Sequence, residues 1–108
     1  MDEARVERVL LAVTLVPPGR VASYGAIGRV AGVGPRQVGA ILREHGDGVP
    51  WWRVTDRDGR LPAPLLTEAL ARWEAEGLPA RPDGLGCRMA ECAADPARLL
   101  DDFLAASP

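Results

Sequence analysis

The stretch SYGAIGRVAGVGPRQVGAIL, residues 23–42, decides the fold. Ser23 is suited to cap a helix, because its hydroxyl accepts from an otherwise unpaired backbone N–H, and a helix is predicted from Tyr24 to about Ala31. Gly32 supplies the left-handed residue that can stop it. Gly34-Pro35 opens a second helix with proline at its first position, where the missing N–H costs nothing. Val38, Ile41 and Leu42 give this second helix an apolar face running to about Glu44. Two short helices joined by a tight glycine-containing turn form the pattern of a helix-turn-helix.

Upstream, Val6, Val9, Leu10 and Val13 recur at helical spacing between Asp2 and Val16, and Pro17-Pro18-Gly19 ends that amphipathic helix. Downstream, Val49-Pro50-Trp51-Trp52-Arg53-Val54, then Asp58-Gly59, then Arg60-Leu61 read as two β-prone stretches around a turn, a hairpin wing after the helix-turn-helix. Leu66, Ala69, Leu70 and Trp73 repeat at helical spacing from Leu65 to Glu76, with Glu68 and Arg72 as an i,i+4 pair and Gly77 as a C-cap. Trp73, on that apolar stripe, is read as core. Residues 78–94 are irregular, with a short extended piece near Cys87-Met89. Asp95-Pro96 caps a last helix whose Leu99, Leu100, Phe103 and Leu104 face the body. The predicted fold is mostly α, a winged-helix-like DNA-binding domain with a helix-turn-helix and a small β-hairpin wing, one domain over residues 1–108.

A net charge of −2 argues against nucleic-acid binding, since phosphate neutralisation supplies most non-specific affinity. The distribution reverses that inference: residues 20–60 hold seven arginines against four acids, a balance of +3. Every one of the 13 positive side chains is arginine, which reflects base composition more than function. No apolar run reaches the ~20 residues of a membrane span and the chain starts acidic, so a cytoplasmic protein without a membrane partner is expected. Cys87 and Cys92 are too few for a disulfide scaffold and are read as free thiols; without further ligands they form no zinc site. No cofactor is implied, and a monomer is expected.

Val21-Ala22-Ser23-Tyr24-Gly25, Pro35-Arg36-Gln37-Val38-Gly39 and Val49-Pro50-Trp51-Trp52-Arg53-Val54, followed by Asp58-Gly59-Arg60-Leu61, resemble the O6-alkylguanine-DNA alkyltransferases in order and spacing, over roughly residues 5–77. The family's enzymes read Pro-Cys-His-Arg-Val at the central motif, and the non-catalytic alkyltransferase-like branch reads Pro-Trp-His-Arg-Val. Trp51 therefore stands at the reactive cysteine and Trp52 at the histidine of the proton relay. Alkyl transfer needs a thiolate, which indole cannot provide. Of the relay only Glu76 remains, and it is expected to pair with Arg53.

By resemblance, the base-extruding residues are present. Tyr24 matches the tyrosine that helps rotate the target nucleotide, Arg36 the arginine that fills the vacated stack, and Gly39 and Ala40 the small residues that let the helix sit in the minor groove, which is only ~6 Å wide in B-DNA. Gln37, Arg43 and Arg57 complete the expected DNA contacts. The expected lesion pocket comprises Tyr24, Val49, Pro50, Trp51, Trp52 and Arg53. In an extended segment the two tryptophans point to opposite sides, with Trp51 facing the pocket. Gly39, costly at mid-helix by ~1 kcal/mol, requires either a neighbouring helix or DNA at close range. Pro64 falls where some relatives carry an arginine that probes the lesion. The resemblance implies recognition of O6-alkylguanine in double-stranded DNA, with nucleotide excision repair proteins as partners. A regulator reading ordinary sequence, and an enzyme using Cys87 or Cys92, are the competing readings.

Overall fold

Asp2 begins the first helix: its carboxylate accepts from the Ala4 N–H at 3.0 Å, and α1 runs Glu3–Thr14 in the computed structural model, which describes residues 2–107. The helix-turn-helix follows as α2 (Tyr24–Ala31) and α3 (Pro35–His45). Ser23 caps α2 by accepting from the Ala26 N–H at 3.0 Å, and Gly32 ends it at φ 78°, a left-handed conformation open to glycine. The turn closes because Gly32 and Val33 both donate to the Gly28 carbonyl, at 2.8 and 2.9 Å. Gly28 cannot carry a side chain there, since a Cβ would collide with the Val33 carbonyl oxygen.

Val9, Ala12 and Val13 of α1 pack with Ile27 and Ala31 of α2 and with Val38 and Ile41 of α3. Leu99 and Phe103, from the last helix α6 (Pro96–Ala106), close the same core. A second cluster gathers Leu61, Leu78, Cys87 and Cys92 around Trp73 of α4 (Ala63–Ala75), which is 1% exposed. Tyr24 packs against both clusters. The start of the helix-turn-helix is thus wedged between the molecule's two apolar centres.

The mostly α class holds, but the β-hairpin wing does not. The two strands, β1 (Ala22–Ser23) and β2 (Val54–Thr55), pair in parallel, with Ala22 opposite Val54. The predicted upstream arm coils instead into a 3-10 turn at Trp51–Arg53. The Asp58-Gly59 turn does form: the Asp56 carboxylate accepts from the Asp58 and Arg60 N–H groups at 2.9 and 2.8 Å. Its return arm then bridges Gly86 through Arg60 rather than running back along Val54, whose pairing edge is taken by β1. Residues 78–94 carry the expected extended piece at Gly86 and Cys87, while Met89 already begins a one-turn helix, α5 (Met89–Cys92).

Gly28→Ala should lower the urea midpoint by an overpacking cost of about 1–3 kcal/mol, and an unchanged midpoint would contradict the turn geometry.

Candidate nucleic-acid interface

A cavity of about 590 Å³ opens between α3 and α4, within the range of about 300–1,000 Å³ typical of ligand pockets. Gly39, Leu42 and Arg43 line it from α3, at the i, i+3, i+4 spacing of one helix face. Pro62, Leu65, Glu68 and Arg72 line it from the start and one face of α4. Tyr24, Trp51 and Trp52 also line it, along with Gly46, Asp47 and Leu61.

Both tryptophans face this cavity, which corrects the expectation that they diverge. The 3-10 turn advances about a third of a revolution per residue, not the half of a strand. The rings therefore meet edge to face, 5.8 Å between centroids at 84°. Trp52 is fixed from three directions. Its Nε1–H donates to Glu76 Oε2 at 2.9 Å, its carbonyl accepts from Trp73 Nε1 at 2.6 Å, and the Arg72 guanidinium lies over its ring with Cζ 4.6 Å from the centroid.

Glu76 is the hub beneath the tryptophans. Arg53 donates through Nε to both carboxylate oxygens at 3.1 Å and through Nη2 to Oε2 at 2.7 Å, while Gly19 donates to Oε1 at 3.1 Å. The remaining Arg53 nitrogen, Nη1, donates to the Val16 carbonyl at 3.1 Å. Burial alone would raise the Glu76 pKa, but hydrogen bonds from Arg53, Trp52 and Gly19, with the Arg53 charge, hold it below its usual value. The expected Arg53–Glu76 pair is present, and it removes Arg53 from the pocket. Val49 and Pro50 do not line the cavity either: Val49 packs on the main core, and Pro50 precedes the 3-10 turn as its cap.

Tyr24 is half-buried; burial, reinforced by the charge of Asp56 and opposed by Arg43, pushes its phenol up, so it remains a neutral donor. Gly39 faces open space, with nothing within 4 Å of where a Cβ would stand. Helix packing does not explain that glycine. Ala40 is half-buried beside it and does not line the cavity. Gln37 turns its amide oxygen back to the Gly34 N–H at 3.1 Å, half of a capping box, leaving only its amide N–H groups for another partner. Arg36 is exposed in the first turn of α3, and Arg57 on the Asp56–Gly59 turn.

The arginines sort by location. Among the described residues, Arg29, Arg36, Arg43, Arg57 and Arg60 have neither a hydrogen bond from their side chains nor an ion pair, and all lie in or just after the helix-turn-helix. The other eight have at least one such partner. Sequence reasoning missed the α4 wall, because its Leu65, Glu68 and Arg72 read as an ordinary solvated helix face. The Glu68–Arg72 spacing was its one visible signal.

A helix-turn-helix presenting uncommitted arginines beside an aromatic cavity has the form of a DNA-binding domain. Residues 4–77 match the family of the 6-O-methylguanine DNA methyltransferase DNA-binding domain, and the chain belongs to that family. A DNA base-flipping protein of Thermus thermophilus is 49% identical over 63 residues, which span 56% of this chain and 43% of the relative. One of Escherichia coli is 34% identical over 83 residues, 71% of this chain and 64% of the relative. The matches thus span under two thirds of the length of these curated relatives. S. pombe Atl1, solved in complex with damaged DNA containing O6-carboxymethylguanine, superposes with a TM-score of 0.75 at 25% identity, over 88% of this chain and 98% of that one. S. pombe ATL in complex with DNA gives 0.75 at 27% identity over the same shares.

Glu76→Gln should expose the importance of the hub. Breaking a largely buried pair, with side chains 14% and 13% exposed, is expected to cost about 3–5 kcal/mol at neutral pH. Because the folded pKa lies below the unfolded value of about 4.3, the carboxylate's contribution is complete above that value and lost as pH falls through the folded pKa. Urea titrations across the acid range should show a shallower pH dependence in the variant; parallel curves would contradict the ionised hub.

Proposed function

We propose that this protein is a non-enzymatic sensor of DNA damage, which binds duplex DNA with α3 in the minor groove and holds an extruded O6-alkylguanine in the cavity between α3 and α4. The observation that carries this reading is Gly39: a mid-helix glycine facing open space, at the rim of an aromatic cavity and among uncommitted arginines. Glycine there costs helix stability, and the close approach of an outside surface accounts for it. In this reading Tyr24 crowds the target nucleotide and Arg36 enters the gap. Trp51 and Trp52 offer aromatic surface against which a base can stack, worth about 1–3 kcal/mol per base. Relatives named for base flipping, and a structural neighbour bound to O6-carboxymethylguanine, support the same reading.

Binding without transfer fits the chemistry of the cavity. Among the described residues its lining includes neither a thiol nor an amine, and by resemblance indole stands at the position of the family's reactive cysteine. Both thiols lie in the second core cluster, where burial pushes Cys87 up to about 12, out of the range of a nucleophile at neutral pH. The replacement of histidine by Trp52 completes the loss, since the indole N–H occupies Glu76 directly and leaves no group to carry a proton. Such a protein acts by marking the lesion, and nucleotide excision repair proteins are the partners this reading assigns to a monomeric, cytoplasmic sensor.

In anisotropy titrations of matched duplexes, O6-methylguanine should be bound about tenfold more tightly than guanine, because a damaged, weakly paired base costs less to unpair and extrude. Equal affinities would leave a regulator of ordinary sequence as the better reading. Arg36→Ala should weaken lesion binding without lowering the melting temperature.

Gly39→Ala should stabilise the fold by about 0.4–1 kcal/mol, because no neighbour obstructs the added methyl. Gly39→Leu should fold as well yet bind every duplex weakly; full retention of binding would remove α3 from the interface.

A further inference from the structure

The two long walls of the cavity differ in how they face an incoming base. The α3 wall, with Gly39 and Arg43, belongs to the surface that the duplex would approach, so the sugar of an extruded nucleotide enters from that side. Guanine carries O6 on the ring edge remote from its glycosidic bond, so a substituent there is directed across the cavity toward α4. The α4 wall changes character along its length: Pro62 and Leu65 are apolar, whereas Glu68 and Arg72 are charged. A short alkyl group has Leu65 to meet, and a longer substituent reaches the charged part.

Arg72 is placed to receive such a substituent. Its guanidinium is held over Trp52, Cζ 4.6 Å from the ring centroid, an attachment that leaves its N–H donors free. Among the described residues its one ionic partner is Glu68, at 3.6 Å, with both side chains about half exposed at 53% and 59%. A pair that long and that exposed is weak and easily displaced. A carboxylate on an adduct would compete with Glu68 for the same guanidinium. We propose that Arg72, held on Trp52 and opposed by Glu68, is a specificity-determining residue that makes the cavity favour O6 substituents ending in an anion over neutral ones of the same size.

This proposal rests on the base-extrusion reading above, and one set of titrations separates the two. Four duplexes, carrying guanine, O6-methylguanine, O6-carboxymethylguanine or its neutral O6-carbamoylmethyl amide, are titrated with the wild type and with Arg72→Gln, Glu68→Gln and Arg43→Gln. The carboxymethyl to carbamoylmethyl affinity ratio is read within each protein, so that any general loss of binding cancels. The wild type should favour the carboxylate about fivefold, as a charge-assisted hydrogen bond against a neutral one. Arg72→Gln should bring the ratio to about one and Glu68→Gln should raise it, while Arg43→Gln lowers all affinities and leaves it in place. Because Glu68 is exposed, its variant remains informative even if Arg72→Gln disturbs the packing of Trp52. A wild-type ratio of one alongside a clear preference for O6-methylguanine over guanine would overturn the role of Arg72 and leave base extrusion standing. A ratio that falls with Arg43→Gln but not Arg72→Gln would also overturn it. No preference for O6-methylguanine over guanine would overturn the underlying reading itself.

Discussion

The ion pair between Arg53 and Glu76 joins parts of the chain that are otherwise remote. Arg53 holds the end of the first helical segment through the Val16 carbonyl, and Glu76 holds the following turn through the Gly19 N–H. The same carboxylate fixes the Trp52 indole. One pair therefore sets the relation between α1, the tryptophan turn and the end of α4. An isolated pair of this kind often contributes little net stability, because desolvation offsets attraction. Here the carboxylate accepts from three residues, and the mutual satisfaction of these groups makes the arrangement specific. The cavity floor depends on it, since Glu76 accepts the Trp52 indole N–H.

In the family's enzymes the histidine position serves to take the proton from a reactive thiol, as the sequence resemblance implies. In this chain the Trp52 indole N–H donates to Glu76, and Trp51 lines the cavity beside it. The electrostatics agree with a binding role: among the described residues, a chain of net charge −2 concentrates its unpaired arginines on and after the helix-turn-helix, while carboxylates or backbone carbonyls engage the others. The uncommitted positive charge is thereby concentrated in one stretch of the chain, and net charge misleads as a guide to partners.

Much of this was legible in the sequence because it is local. Ser23, Gly32 and Pro35 mark helix ends through hydrogen bonds and backbone angles that depend on a few neighbouring residues, and Asp95 does the same for α6. The Arg53–Glu76 pair was legible only through resemblance, as the partners are far apart in the chain. What could not be read was pairing between distant segments. Asp58-Gly59 correctly signals a turn, yet nothing in it says that Val54 pairs in parallel with Ala22 or that Arg60 crosses to Gly86. The fate of the tryptophans turned on a similar point: one 3-10 turn instead of extended chain brings Trp52 to the cavity, and that turn is stabilised by Glu76 and Trp73 from elsewhere. The α4 wall stayed hidden because a cavity lining and a solvated helix face share the same composition.

The central claim is that a modified guanine leaves the DNA stack and rests against Trp51 and Trp52 without being altered. A duplex with 2-aminopurine beside O6-methylguanine reports this directly, since the probe brightens when its neighbour unstacks. The account predicts a rise in fluorescence on binding, reversed by competitor DNA, with the protein's mass unchanged afterwards. Tight binding with no rise, or a protein that gains the mass of a methyl group, would contradict it.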